Sequence, residues 1–162
     1  MRKIVKKTET ESTPENGSWL DVSAIAQVEV TSEDSQHPIE SVFAEGNEGG
    51  WRASERGKQT IRLYFDQPQR VRRLWLHFQE LQTERTQQFS LHWSKNKADA
   101  LRPLVQQQWN FSPGGSTSQI EDYIVELDEV WMLQLVIDPD ISKGPAVATL
   151  QRWRIAQDES PE

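Results

Sequence analysis

Cysteine is missing from all 162 residues. That excludes disulfide staples, thiol nucleophiles and cysteine-ligated zinc together, and it fits a reducing compartment, so a cytoplasmic location is expected. Long apolar runs are missing too. Nothing approaches the roughly 20 consecutive apolar residues that cross a bilayer. In the opening stretch only Ile4 and Val5 are apolar before Thr8 and Glu9, so no signal-peptide core forms there. A soluble protein with no membrane partner is expected. Positive charge is in deficit: 18 Lys and Arg stand against 25 Asp and Glu, a net charge of −7. Such a chain has no general pull towards phosphate backbones or anionic lipid, so nucleic acid is not an expected partner. The three histidines include no pair at metal-ligand spacing. No metal and no cofactor are expected.

Seven Trp and five Phe supply the large apolar groups from which a core can be built despite a hydrophobic fraction of only 35%. The length suits one domain. Residues 1–17 are polar and charged and close on Thr13-Pro14-Glu15-Asn16-Gly17, the composition of a mobile arm. A folded domain is expected over 18–157, followed by a short acidic tail, 158–162.

Turn formers punctuate the domain at short intervals, and the runs between them alternate. Ile61, Leu63 and Phe65 share one face and Thr60, Arg62 and Tyr64 the other. Leu74, Leu76 and Phe78 repeat the pattern, as do Phe89, Leu91 and Trp93. Trp131, Leu133, Leu135 and Ile137 make a longer inward row, and Trp153 and Ile155 close the chain. This period of two is the mark of half-buried strands. Only 23–30 and 80–88 are candidate helices, and neither carries a long apolar stripe at helical spacing. Short strands with frequent turns predict an all-β sandwich or barrel.

Taken in order, Pro38-Ile39-Glu40-Ser41-Val42-Phe43-Ala44-Glu45-Gly46, Trp51-Arg52-Ala53-Ser54, the strand Thr60 to Phe65 with Asp66, Pro68 and Val71, Phe89-Ser90-Leu91-His92-Trp93-Ser94 and the closing strand resemble the discoidin, or coagulation-factor type C, domain of the galactose-binding-domain-like superfamily. The resemblance implies a jelly-roll β-sandwich of about eight mainly antiparallel strands that works by binding through loops at one end. Sugar-binding members often hold a structural calcium between an aspartate of the early turn and a glutamate of the last strand. The matching positions here are Glu45 and Arg152, and an arginine in place of an acidic ligand implies a salt bridge where the metal would sit.

No nucleophile, base and orienting group can be assembled from the sequence, so an enzyme is not expected. The resemblance places the binding loops at 31–40, 46–58 and 79–88. Within them His37, Arg52, Glu84 and Arg85 are the candidate ligand-binding residues, since planar polar groups hydrogen-bond sugar hydroxyls and an arginine fork clamps a carboxylate. A non-catalytic module that binds carbohydrate as a monomer is the first expectation. The alternative is an intracellular assembly domain with a protein partner, through the same loops or through a sheet face carrying Arg73, Trp75 and His77.

Overall fold

The computed structural model describes residues 19–44 and 49–159. The expected arm, 1–17, and most of the tail lie outside them. Among the described residues the chain forms eight strands and two single-turn helices: α1 (Val22–Ile25), β1 (Ala26–Val30), α2 (Glu40–Phe43), β2 (Trp51–Arg56), β3 (Gln59–Gln79), β4 (Arg85–Ser94), β5 (Arg102–Phe111), β6 (Ser118–Asp138), β7 (Val147–Leu150) and β8 (Arg152–Ala156). All pairings are antiparallel. The all-β jelly-roll sandwich is the fold.

Two strands of 21 residues each, β3 and β6, build both layers. Asp66, Gln67 and Pro68 read as a turn, yet the strand does not end there. Its ladder with β6 loses register between Tyr64 and Arg73, and the chain bends from one layer into the other. Proline, which has no N–H to donate, is tolerated at such an irregularity. The early part of β3 lies between β1 and the late part of β6, with β4 and β5 beyond, in the order β1-β3-β6-β4-β5. The late part of β3 pairs with the early part of β6 on one side and β8 on the other. β7 leads into β8 and pairs with β2.

The alternation seen in the sequence decides what lies between the layers. Ile61, Leu63, Leu74, Leu76, Phe78, Leu91, Leu133, Leu135 and Ile137 are wholly buried. Across the gap, the rings of Phe78 and Phe89 sit 5.0 Å apart. Trp51 and Trp153 fill the core beneath the second layer, with Phe43 of α2 against Trp153 at 6.0 Å. The arginines of the last strand point the other way. Arg154 reaches the carbonyl oxygen of Phe43 at 2.9 Å and so ties α2 to β8.

Three local expectations are corrected. Region 23–30 divides into the single turn α1 and the strand β1, whose Ala26, Val28 and Val30 turn inward at period two. Region 80–88 is a loop followed by the start of β4, because Arg85, Gln87 and Phe89 alternate inward. Trp131 is not a core residue. It falls at the bend of β6, where its ring meets Tyr64 at 5.3 Å, and the inward row begins at Leu133.

Candidate functional site

Both ends of β3 come to the same end of the sandwich. Gln59 stands opposite Ile137, Gln88 stands opposite Asp138, and only five residues separate Gln79 from Arg85. The loops 31–39, 57–58, 80–84, 112–117 and 139–146 therefore gather there.

The first loop is fastened to β2 by backbone bonds: Asp34 N–H donates to the Arg52 carbonyl at 2.8 Å, and Arg52 N–H donates to the His37 carbonyl at 3.2 Å. Its root is held by Gln59, a buried amide that accepts from the hydroxyls of Thr31 at 2.6 Å and Ser32 at 2.8 Å. Trp51 donates its indole N–H to the Ser32 carbonyl at 3.2 Å, so the buried tryptophan sets the height of the loop above β2. The imidazole of His37 lies 3.7 Å from the Asp34 carboxylate, and both side chains remain more than a third exposed. Arg52 is exposed beside them.

Arg85 is a correction. The sequence offers it as a ligand contact, but its side chain is fully buried and all three guanidinium nitrogens are engaged. Nε donates to Glu80 at 2.7 Å, Nη1 to the Pro139 carbonyl at 2.8 Å and to Gln87 at 3.1 Å, and Nη2 to the Thr149 hydroxyl at 3.3 Å. One side chain thus locks the 80–84 loop, the start of the 139–146 loop, β4 and β7 together. Glu80 in turn accepts the N–H groups of Gln82 at 3.0 Å and Thr83 at 3.2 Å, which shapes the loop tip. Burial alone would raise its pKa, yet Arg85 and these two N–H groups bring the Glu80 carboxyl below the ordinary value of 4.5. Glu84 is exposed at that tip.

Thr149 links the two halves of the site. It stands opposite Arg52 in the β2–β7 pair, and residues directly opposite in an antiparallel pair share a face. The structure therefore brings His37 and Arg52 together directly, links the buried Arg85 to the partner strand of Arg52 through Thr149, and leaves Glu84 on the loop that Arg85 holds.

The expected Glu45–Arg152 salt bridge lies outside the described residues. What is described is Arg152 Nη1 donating to the Ala44 carbonyl at 2.6 Å. Among the described residues no group of three or more His, Asp and Glu side chains is placed to hold a metal ion.

The polar interior escaped the sequence reading. Below Arg85, the Gln87 amide donates to that of Gln119 at 3.0 Å, and Gln119 donates to Glu121 at 2.8 Å, which also accepts the Tyr123 hydroxyl at 2.9 Å. Burial and the Glu121 carboxylate push the Tyr123 phenol above its ordinary range. The face expected to carry Arg73, Trp75 and His77 holds Trp75 and His77 buried, with Arg73 paired to Asp122 at 2.7 Å.

No family model matches the chain, and no curated protein matches it in sequence. Solved structures do match in shape. The family 32 carbohydrate-binding module of NanJ from C. perfringens, in complex with galactose, superposes with a TM-score of 0.64 at 10% identity, covering 85% of this chain and 97% of that one. The family 32 module of AlyQ, in complex with 4,5-unsaturated mannuronic acid, gives 0.60 at 17% identity, covering 83% and 96%. XRCC1 bound to the DNA polymerase β catalytic domain gives 0.61 at 15% identity, covering 80% and 93%. The fold is therefore that of the discoidin-type, galactose-binding-like domains.

Proposed function

We propose that the chain is a non-catalytic carbohydrate-binding module that takes its glycan at the loop end, through Arg52, His37 and Glu84. The observation that carries this reading is the mounting of Arg52. An exposed guanidinium stands on a strand opposite Thr149, whose hydroxyl is hydrogen-bonded by the buried Arg85, while His37 and Asp34 are hydrogen-bonded to the backbone of Arg52. Fixed planar donors and acceptors around an exposed arginine suit sugar hydroxyls, and the fork suits a uronate carboxylate. Two of the similar folds being complexes with galactose and with unsaturated mannuronic acid supports the same reading. Arg85 acts here as a positioning residue and touches no ligand.

The test is titration calorimetry against neutral and uronic-acid oligosaccharides, with thermal unfolding alongside. Binding should weaken by about tenfold or more in Arg52→Ala, the scale of one lost charged hydrogen bond, with the melting temperature unchanged. If no glycan binds at millimolar concentration, the reading fails.

A second reading, a protein-assembly domain, has one observation in its favour. Leu81 is 61% exposed and Ile141 37% exposed, on the 80–84 and 139–146 loops that Arg85 ties together through Glu80 and Pro139. Apolar tips of this kind suit a protein surface, and the likeness to XRCC1 in complex with a polymerase agrees with it. Leu81→Ser would weaken such a partner and leave glycan binding intact.

A further inference from the structure

Of the ten arginines among the described residues, eight hold a carboxylate, a carbonyl, an amide or an aromatic ring. Two hold nothing. Arg52 and Arg56 are exposed, and among the described residues neither guanidinium has a hydrogen-bond or ion-pair partner. Both stand on β2. Arg52 lies opposite Thr149 and Arg56 opposite Val147, so four steps along β2 match two along β7. The surplus makes a bulge, a device that re-aims side chains beside binding and catalytic sites. Thr149 and Val147 lie on the face away from the buried Ala148 and Leu150, and directly opposed residues share a face, so both arginines point outward. Two steps of β7 set their backbones about 7 Å apart along the ladder. The bulge is pinned from within. Ser54 N–H donates to the Ser32 hydroxyl at 3.1 Å, that hydroxyl donates to the buried Gln59 at 2.8 Å, and the Gln59 amide N–H reaches the Glu55 carbonyl at 3.5 Å. The Glu55 carboxylate, on the bulge itself, is exposed and pairs with neither arginine.

We propose that Arg52 and Arg56 act as a two-pronged clamp for a glycan that carries acid groups on successive residues, with Arg56 the residue that sets this specificity. The inference rests on the glycan reading and sharpens it. Two unpaired cations held side by side repel each other, so the pinned bulge maintains an arrangement that a ligand with two negative groups relieves. A neutral sugar offers no such relief, and a lone uronate engages one fork. Each planar guanidinium can give two parallel bonds to one carboxylate or a like oxyanion, which a chain of such acids supplies twice over. At −7 the chain as a whole does not draw a polyanion from a distance, so selection falls to these two contacts.

Titration calorimetry of the full chain with galacturonic acid, its linear trimer, a neutral galactose trimer and a sulfated trimer tests it. The galacturonate trimer should bind about tenfold or more tighter than the monomer, the scale of one further charged hydrogen bond. That advantage should shrink as ionic strength rises from about 0.1 to 1 M. Arg56→Gln should abolish it with the melting temperature unchanged, whereas Lys97→Gln, which removes an equal charge from the exposed turn after β4, should keep it. An advantage with either acid trimer that depends on Arg56 supports the clamp, and the tighter of the two names the acid. If acid and neutral trimers bind equally, or Arg56→Gln changes nothing, this inference falls and the glycan reading stands. If no glycan binds, that reading falls and takes this one with it. An oligonucleotide that binds as tightly through both arginines overturns the choice of a glycan.

Discussion

Arg85 and Phe111 stand opposite each other where β4 and β5 meet, and the guanidinium carbon lies 4.8 Å from the centre of the phenyl ring. The ring covers one face of a cation whose three nitrogens are all hydrogen-bonded and whose side chain is fully buried, so the charge is shielded from water. Removing it should be costly. Arg85→Met leaves the Glu80 carboxylate without its partner, and a loss of about 3–5 kcal/mol is expected, the usual cost of breaking a buried pair. Arg85→Lys should recover little, because one ammonium cannot reach Glu80, Pro139 and Thr149 from a single position. Urea unfolding monitored by tryptophan fluorescence measures both.

The inter-sheet amide pair makes a separate prediction. Gln87→Leu or Gln119→Leu alone strands one buried amide and should cost about 1–3 kcal/mol. The double leucine variant should lose less than the sum of the two, since both polar groups then leave together. A double-mutant cycle measures the difference, and simple additivity would show that the 3.0 Å bond carries no coupling.

Acid should weaken the loop end through Glu80. Its carboxyl titrates below the ordinary value of 4.5 in the folded chain, so the unfolded chain binds the proton first as pH falls. The contribution is present above the ordinary range and is lost as pH drops through the lower folded value. Unfolding free energy measured from pH 6 downwards should therefore decline less steeply below about pH 4.5 in Glu80→Gln than in wild type, from a lower starting value.

At the foot of β2, Gly50 has φ of 67° and a Cβ placed there would lie 2.9 Å from the Leu150 carbonyl oxygen. Gly50→Ala meets both a left-handed backbone and a backbone clash, with an expected cost of about 1–3 kcal/mol. Gly50→Asn tolerates the conformation but keeps the clash, so it should not restore stability. Thermal unfolding of the two variants separates dihedral strain from lack of space.

The sequence revealed the strands wherever burial follows an apolar alternation. Ile61, Leu63 and Phe65, or Leu133, Leu135 and Ile137, announce their inward face locally. It concealed the strands that bury polar groups. Arg85 and Gln87 sit in a stretch hydrophilic enough to read as a loop or helix, and they turn inward only because Pro139 and Thr149, 54 and 64 residues away, supply acceptors. Strand β5 stayed hidden for a different reason: Gln106, Gln107 and Gln108 are exposed and have no period in hydropathy. At the candidate site His37 and Arg52 were legible through resemblance, whereas the burial of Arg85 depends on distant partners that no local pattern records.

Two strands that each belong to both layers also govern how the chain can fold. One layer cannot be completed before residues near 59 and near 137 have met, nor the other before residues near 79 and near 118 have met, because β3 and β6 supply the middle of each. The search for these pairings closes long loops before most contacts reward it, which predicts slow folding on the timescale of sandwich proteins. Once formed, the layers share continuous backbone and cannot slide or part like separate halves. They should melt in one cooperative step, and whatever adapts to a ligand must be the loops.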